Sequence, residues 1–467
     1  MNSARPMNTT LFAADALLPA GWQKNVLLQW NAAGRLTQVQ PDSRPDASMQ
    51  TAEGPLIPGM PNLHSHAFQR AFAGLTEYRG QAQDSFWSWR TLMYRFAQRI
   101  TPEQFEAIAT WLYIEMLEAG YTAVCEFHYV HHDADGRPYA DDATLALCLL
   151  RAAQNTGIGL TLLPVLYQSS GFGATAATDG QRRFIRSTDN MLRLLERLKP
   201  VCDAQGARLG LAPHSLRAVP PEGLQEAVAG FTAMDSEAPV HIHIAEQTAE
   251  VEACLAWSGQ RPVEWLLNHA DVNARWCLVH ATHMNETEYA RAASSGAVAG
   301  ICPSTEANLG DGIFDLPRWL SHGGAWGVGS DSHATVNAAE ELLLLEYGQR
   351  LSLRQRNVLA TRQQPQVATA MTLQALQGGA QAAGRAIAGL AVGQQADFVV
   401  LDAQHLALAG LHAPEMLSAH VFASHRTSAV HGVWVAGKPC VTAARHPLHD
   451  AAARCFVAAR SAIISGS

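Results

Sequence analysis

His64 and His66 stand one residue apart at the end of an apolar run, P-L-I-P-G-M-P-N-L-H-S-H. In an extended strand residues i and i+2 point to the same face, so this spacing aims two imidazoles at one point, as a metal ion requires. Two of the chain's 20 histidines could equally be unrelated loop residues, and the pair alone decides nothing. Its context decides more. His243 and Glu246 follow in V-H-I-H-I-A-E-Q, His280 in C-L-V-H-A-T and Asp331 in G-V-G-S-D-S, each at the end of another short apolar run. Three neutral imidazoles and a carboxylate (His64, His66, His243, Asp331) form a nitrogen-rich set that suits Zn²⁺. A catalytic zinc keeps a position for water and lowers that water's pKa to about 7. Glu246, three residues past His243, is placed to exchange protons with such a water. His280, from the next strand, could hold it or polarise a substrate, and Asp331 can both bind metal and accept a proton. The competing reading, histidines satisfied inside a packed core, has to explain why all of these groups fall at strand ends.

Such a set needs a scaffold that brings several strand ends to one place. Apolar, strand-like runs occur at 55–61, 122–130, 157–167, 208–216, 239–246, 276–282, 297–306 and 325–332. Helical stretches separate them, such as T-P-E-Q-F-E-A-I-A-T-W-L-Y-I-E-M-L-E-A-G, which ends at Gly. Strands alternating with helices imply a parallel sheet, and eight units of this kind predict an α/β fold, a (β/α)8 TIM-type barrel. The candidate residues lie at the C-terminal ends of runs one, five, six and eight, where such barrels carry their chemistry. Both chain ends read differently, as short strands and turns: N-V-L-L-Q-W-N-A-A-G-R-L-T-Q-V near the start, A-D-F-V-V-L-D and A-V-H-G-V-W-V-A-G-K-P-C-V near the end. The expected organisation is a small β-sandwich domain from residues 1–55 and 380–467, closed by an Ala-rich helix after 443, around a barrel at 56–379.

Composition narrows the function classes. The 467 residues are 48% hydrophobic and 16% charged, with mean hydropathy near zero. A net charge of −8 gives no reason to expect nucleic acid or an anionic membrane as partner. The eight cysteines are scattered without a C-x-x-C pair, which suits reduced thiols. The first residues lack the long apolar core of a secretory signal, and no stretch has the length of a transmembrane helix. A cytoplasmic protein is the expectation.

The order H-x-H, His with Glu three later, His, then Asp resembles the amidohydrolase superfamily, specifically its deaminase branch, over essentially the whole chain. Many members hold two metals bridged by a carboxylated lysine on the fourth strand. Here that strand, R-L-G-L-A-P-H-S-L, contains no lysine, and Lys199 precedes it. The resemblance therefore implies one metal per subunit, zinc by ligand type, with iron or another divalent ion also compatible with these ligands. With Glu246 present it implies hydrolytic deamination.

Arg90, Tyr129, His214 and Arg217 follow strands one, two and four, near the rim. Two guanidinium forks suit carboxylates, although any single arginine more often serves a surface ion pair. The strings E-F-H-Y-V-H-H-D, P-H-S-L-R-A-V and G-S-D-S-H are similar to one family in particular, the formimidoylglutamate deiminases of histidine degradation. That resemblance implies that Gln69, Arg90, Tyr129, His214 and Arg217 bind a small dicarboxylate substrate. It further implies that His64, His66, His243 and Asp331 hold Zn²⁺, that Glu246, His280 and Asp331 do the chemistry, and that the protein is a homodimer. His128, His131 and His132 read as structural or rim residues. The nearest alternative is a deaminase of the same branch acting on a purine, pyrimidine or triazine ring. A non-catalytic barrel would be expected to have lost the ligand set, and a two-metal cyclic amidase needs the missing lysine.

Overall fold

The computed structural model describes residues 9–47, 49–77, 86–424 and 427–466. Eight parallel staves run through its middle: β1 Met60–Ser65, β2 Tyr121–His128, β3 Gly159–Leu166, β4 in two pieces (Arg208–Leu209 and Ala212–Pro213), β5 Val240–Ile244, β6 Trp276–His280, β7 Val298–Ile301 and β8 Ala325–Val328. Hydrogen bonding joins them in two arcs, β1 to β4 and β5 to β8. Single parallel bridges close the seams. Leu211 pairs with Val240 and Ser215 with His243 on one side, and Ser65 pairs with Asp331 on the other. At that second seam the Asp331 N–H donates to the His64 carbonyl (3.0 Å) and the His66 N–H to the Asp331 carbonyl (3.3 Å). The eight staves thus form a closed ring, the expected barrel. Nearly every stave residue is buried, because helices cover the sheet from outside.

Local signals account for the covering helices. Helix Pro102–Glu118 starts at a capping box between Thr101 and Gln104, with Pro at its first position, and the chain turns into β2 through Gly120 at φ +91°. Helix Val367–Ala383 completes the ring by lying against β8 and β1. Its Gly378 and Gly379 allow the approach: a Cβ on Gly378 would stand 2.0 Å from the Trp326 carbonyl oxygen.

The chain ends meet in one eight-stranded sheet. Strands Thr9–Leu18, Gly21–Trp30, Leu36–Gln40, Gln50–Thr51 and Leu56–Pro58 come from the start of the chain, and Phe398–Leu401, Val430–Val435 and Lys438–Val441 from its end. All are linked along a single hydrogen-bonded network, so the sandwich expected there is one sheet. Its apolar face gathers Leu11, Val26, Leu28, Trp30, Phe398 and Val400. The Phe398 ring stacks on Trp434 with centroids 5.1 Å apart. Helix His449–Ser465 follows, its Phe456 stacked on Trp111 of the barrel helix (6.0 Å).

The apolar run at 55–61 divides between the two sheets. Leu56–Pro58 is a strand of the terminal sheet, pairing with Phe398–Leu401, and the first stave begins only at Met60. Gly59 makes the crossing, its N–H donating to the Asp397 carbonyl (3.1 Å) and its missing side chain leaving room for Thr122. Periodicity reports that a run is extended and buried, but not which sheet it joins.

Candidate active site

At the C-terminal mouth of the barrel β1 ends in His64 and leads to His66, β5 carries His243, and Asp331 follows β8. Nε2 of His64 lies 3.0 Å from Nε2 of both His66 and His243. Asp331 Oδ1 is 3.4 Å from the first and 3.2 Å from the second of the β1 pair. Nδ1 of His66 donates to the Phe127 carbonyl (2.9 Å) and Nδ1 of His243 to the His214 carbonyl (3.1 Å). Both protons are thereby fixed on Nδ1, and both Nε2 lone pairs face His64. Burial, then the charge of His66, drives the His64 pKa down to about 3, and burial holds His243 well below its ordinary value. Neutral imidazoles with converging lone pairs, beside a carboxylate, would repel one another unless a cation sat among them. The residues fit a single divalent ion with mainly nitrogen donors.

The backbone is bent to make this cluster. Ala245, His280, Ala281 and Asp331 all have positive φ, between 45° and 66°, a region non-glycine residues seldom adopt and one found where function over-determines a loop. Glu126 of β2 holds the stretch after β1, accepting from Ser65 Oγ (2.7 Å) and the Ala67 N–H (2.6 Å).

His280 stands beside the cluster. Its Nδ1 donates to Glu306 Oε1 (3.2 Å), which turns Nε2 towards Glu246 Oε1 (3.7 Å) and Asp331 Oδ2 (3.6 Å). Burial depresses its pKa, but Glu246, Glu306 and Asp331 outweigh that and push it up to about 10. Burial raises Glu246 above the usual carboxylate range. A basic imidazole beside a protonatable carboxyl is a pair suited to moving protons.

All of the sequence-predicted site residues except His64 line one cavity, and His64 lies buried immediately beneath it. Gln69 donates to Tyr129 Oη (2.9 Å), while its Oε1 is buried without a partner. His214 packs over His243 with ring centroids 5.0 Å apart. Arg90 reaches the cavity from helix Phe86–Ala97, its guanidinium 5.5 Å from the Tyr94 ring centre. Arg217 is buried 3.8 Å from Glu250, and its Nε has no hydrogen-bond partner. His131 and His132 turn away, donating to the Val165 and Ile185 carbonyls (2.9 Å each).

Sequence reasoning passed over Trp89, Met93, Tyr94, Tyr167, Phe184 and Leu309, which also line the cavity, and Glu306 behind His280. Tyr167 carried a usable signal, since it ends the third apolar run just as Tyr129 and His214 stand near the ends of the second and fourth. Glu306 carried none, because its contact with His280 exists only in the fold.

Residues 56–440 match the model of the Amidohydrolase family, and residues 8–50 match that of the Formimidoylglutamate deiminase HutF, N-terminal domain. A formimidoylglutamate deiminase of Pseudomonas aeruginosa is 53% identical over 449 residues, covering 96% of this chain and 98% of its own. The crystal structure of an amidohydrolase from Brucella melitensis superposes with a TM-score of 0.92 at 47% identity, over 98% of this chain and all of that one. An adenosine deaminase of Xanthomonas campestris, solved with bound zinc, shares the fold (TM-score 0.80, 22% identity, 99% of both chains). On this evidence, the chain belongs to the amidohydrolase family and, within it, to the formimidoylglutamate deiminases.

Proposed function

We propose that the protein hydrolyses N-formimino-L-glutamate to N-formyl-L-glutamate and ammonia, using one divalent ion, zinc by the chemistry of the donors, held by His64, His66, His243 and Asp331. The observation that carries this reading is that one cavity joins a cation-binding donor set to two guanidinium groups, Arg90 and Arg217. That pairing suits a substrate with a reacting group at one end and carboxylates at the other. The name of the Pseudomonas aeruginosa relative agrees with it.

A divalent ion bound there supplies a water acidified to a pKa of about 7 and positive charge beside the electrophilic carbon. Arg90 and Arg217 hold the two carboxylates of the glutamyl part, with Tyr129 and His214 assisting. Gln69 Oε1, buried and unpartnered, accepts an N–H of the formimino group. Anchoring both ends fixes the amidine carbon over the cluster and removes most of its freedom before reaction. Glu246 takes one proton from the attacking water as the C–O bond forms and returns it to the terminal nitrogen. The proton left on the added oxygen follows to the same nitrogen through Glu246 as the C=O bond forms, the bond to that nitrogen breaks, and ammonia leaves. His280, oriented by Glu306, offers Nε2 to the oxygen as it adds.

A ring deaminase would share the cation site, but an uncharged ring would offer no carboxylate to the Arg217 guanidinium, whose buried Nε has no hydrogen-bond partner. The test is ammonia release by the metal-loaded protein from N-formimino-L-glutamate, run beside guanine, cytosine and adenosine. Release from the formimino compound alone is expected. Release from a ring compound instead would overturn the assignment of Arg90 and Arg217. The reading includes a homodimer in the cytoplasm, as the family resemblance implies, and light scattering of the purified protein checks the first of these.

A further inference from the structure

The cavity wall beyond His214 contains an arrangement that the proposed function has not used. Ring contacts lead outward from the cluster, from His243 to His214 (5.0 Å) and from His214 to Tyr167 (4.6 Å). Tyr167 and Tyr94 both line the cavity, and buried Gln181 stands behind them. The Gln181 amide has a fixed sense. Its Oε1 accepts from the Thr178 N–H (2.8 Å) and Thr178 Oγ1 (3.0 Å), so Nε2 faces the phenols. Nε2 donates to Tyr167 Oη (2.7 Å) and to Tyr94 Oη (3.3 Å).

A phenol oxygen that accepts from an amide must send its own proton elsewhere. Two phenols can donate to each other in one direction only, so at least one O–H remains. Among the described residues no carbonyl or carboxylate accepts it. Burial, with Tyr94 alongside, pushes the Tyr167 phenol above its ordinary range, so it stays protonated. Arg90 lies against the Tyr94 ring, and the unpartnered Nε of Arg217 is buried in the same wall. Two guanidinium groups and a phenol O–H without a protein acceptor thus bring several donors to one wall, with the Glu250 carboxylate 3.8 Å from Arg217.

We propose that Tyr94 and Tyr167, set by Gln181, donate to the substrate carboxylate furthest from the reacting group and so fix the chain length that the enzyme accepts. This rests on the reading of N-formimino-L-glutamate as substrate. The wall is built on rigid parts, the exit of β3, helix Phe86–Ala97 and the turn Asp179–Gln181, so its distance from the cation cluster acts as a ruler. A dicarboxylate one methylene shorter reaches the cluster or the wall, but not both.

The test compares wild type with Tyr167→Phe and with the double variant Tyr94→Phe/Tyr167→Phe, on N-formimino-L-glutamate, N-formimino-L-aspartate and N-formimino-glycine. Losing a hydrogen bond to a charged group should raise KM for the glutamyl compound about 10- to 100-fold in the double variant, with the loss in KM rather than kcat. The preference for it over the other two should shrink by the same factor. Gln181→Glu places an acceptor where the amide donated and turns the phenol protons inward, so it should reproduce that KM effect with both tyrosines intact. An unchanged KM in the double variant, or a fall in kcat alone, overturns the proposal. Wild type that releases no ammonia from N-formimino-L-glutamate overturns the proposed function itself, and this inference with it.

Discussion

His66 and His243 have their protons fixed by backbone carbonyls, so the lone pairs that face His64 are a property of the fold. Glu246 is different: nothing about the donor set depends on its charge. Glu246→Gln should therefore lower ammonia release by at least about 10²- to 10⁴-fold, the usual contribution of a general acid–base group, while bound metal, read by elemental analysis, stays at the wild-type level. Metal lost together with activity would make Glu246 part of the cation site. The cluster was legible in the sequence because metal ligands are few, chemically distinctive and tied to strand ends. Gln181 and Glu306 were not, since glutamine and glutamate are common and theirs are roles of contact; Tyr167 had only its place at the end of the third apolar run to mark it. Glu306 reaches His280 from the helix Pro303–Leu309 that follows the seventh stave, and Gln181 matters only because Thr178 fixes its amide.

At the scale of elements, the alternation of apolar runs and helices was readable because a covered parallel strand is apolar throughout. What the pattern could not supply was the break at Gly59, where one run serves two sheets, or the left-handed residues at Ala245, His280, Ala281 and Asp331. An ordinary residue in such a conformation is invisible to propensity, which would have asked for glycine. Close packing between elements was equally hidden. Gly378 lies in an ordinary helical conformation, yet a methyl group there would meet the backbone of β8. Gly378→Ala should lower stability by about 1–3 kcal/mol or more, despite alanine's better helix propensity, because the helix must move away from the stave. Thermal unfolding measures it, and a variant as stable as wild type would show that the helix can shift without cost.

For the molecule as a whole, Asp397 ties the terminal sheet to the barrel. Its carbonyl accepts from Gly59 and its Oδ1 from the Ala436 N–H (2.7 Å). Burial pushes its carboxyl from 3.8 up to about 6, against the opposing pull of the Ala436 hydrogen bond and Arg385. The folded state thus binds the proton more tightly than the unfolded chain. The favourable contribution is fully present below pH 4, and it is lost as pH rises through about 6. A shift of this size corresponds to roughly 3 kcal/mol. Asp397→Asn should therefore gain in melting temperature relative to wild type at pH 8 and lose that gain by pH 4. A difference constant across pH would mean that the carboxyl is not the group responsible.

The seam at Ser65 and Asp331 has a consequence for how the protein comes into being. The donor set is divided between the first stave and the last, and the same backbone bonds that close the ring carry Asp331 to the histidines. No partly built barrel owns the whole set. During synthesis the three histidines emerge well before their carboxylate, and the most sequence-distant pairing in the barrel is the one that completes the site, a slow kind of contact to make. On the proposed function, tight metal capture would thus wait for the end of folding, where an ion held by this set would bridge the two ends of the ring and act as its latch.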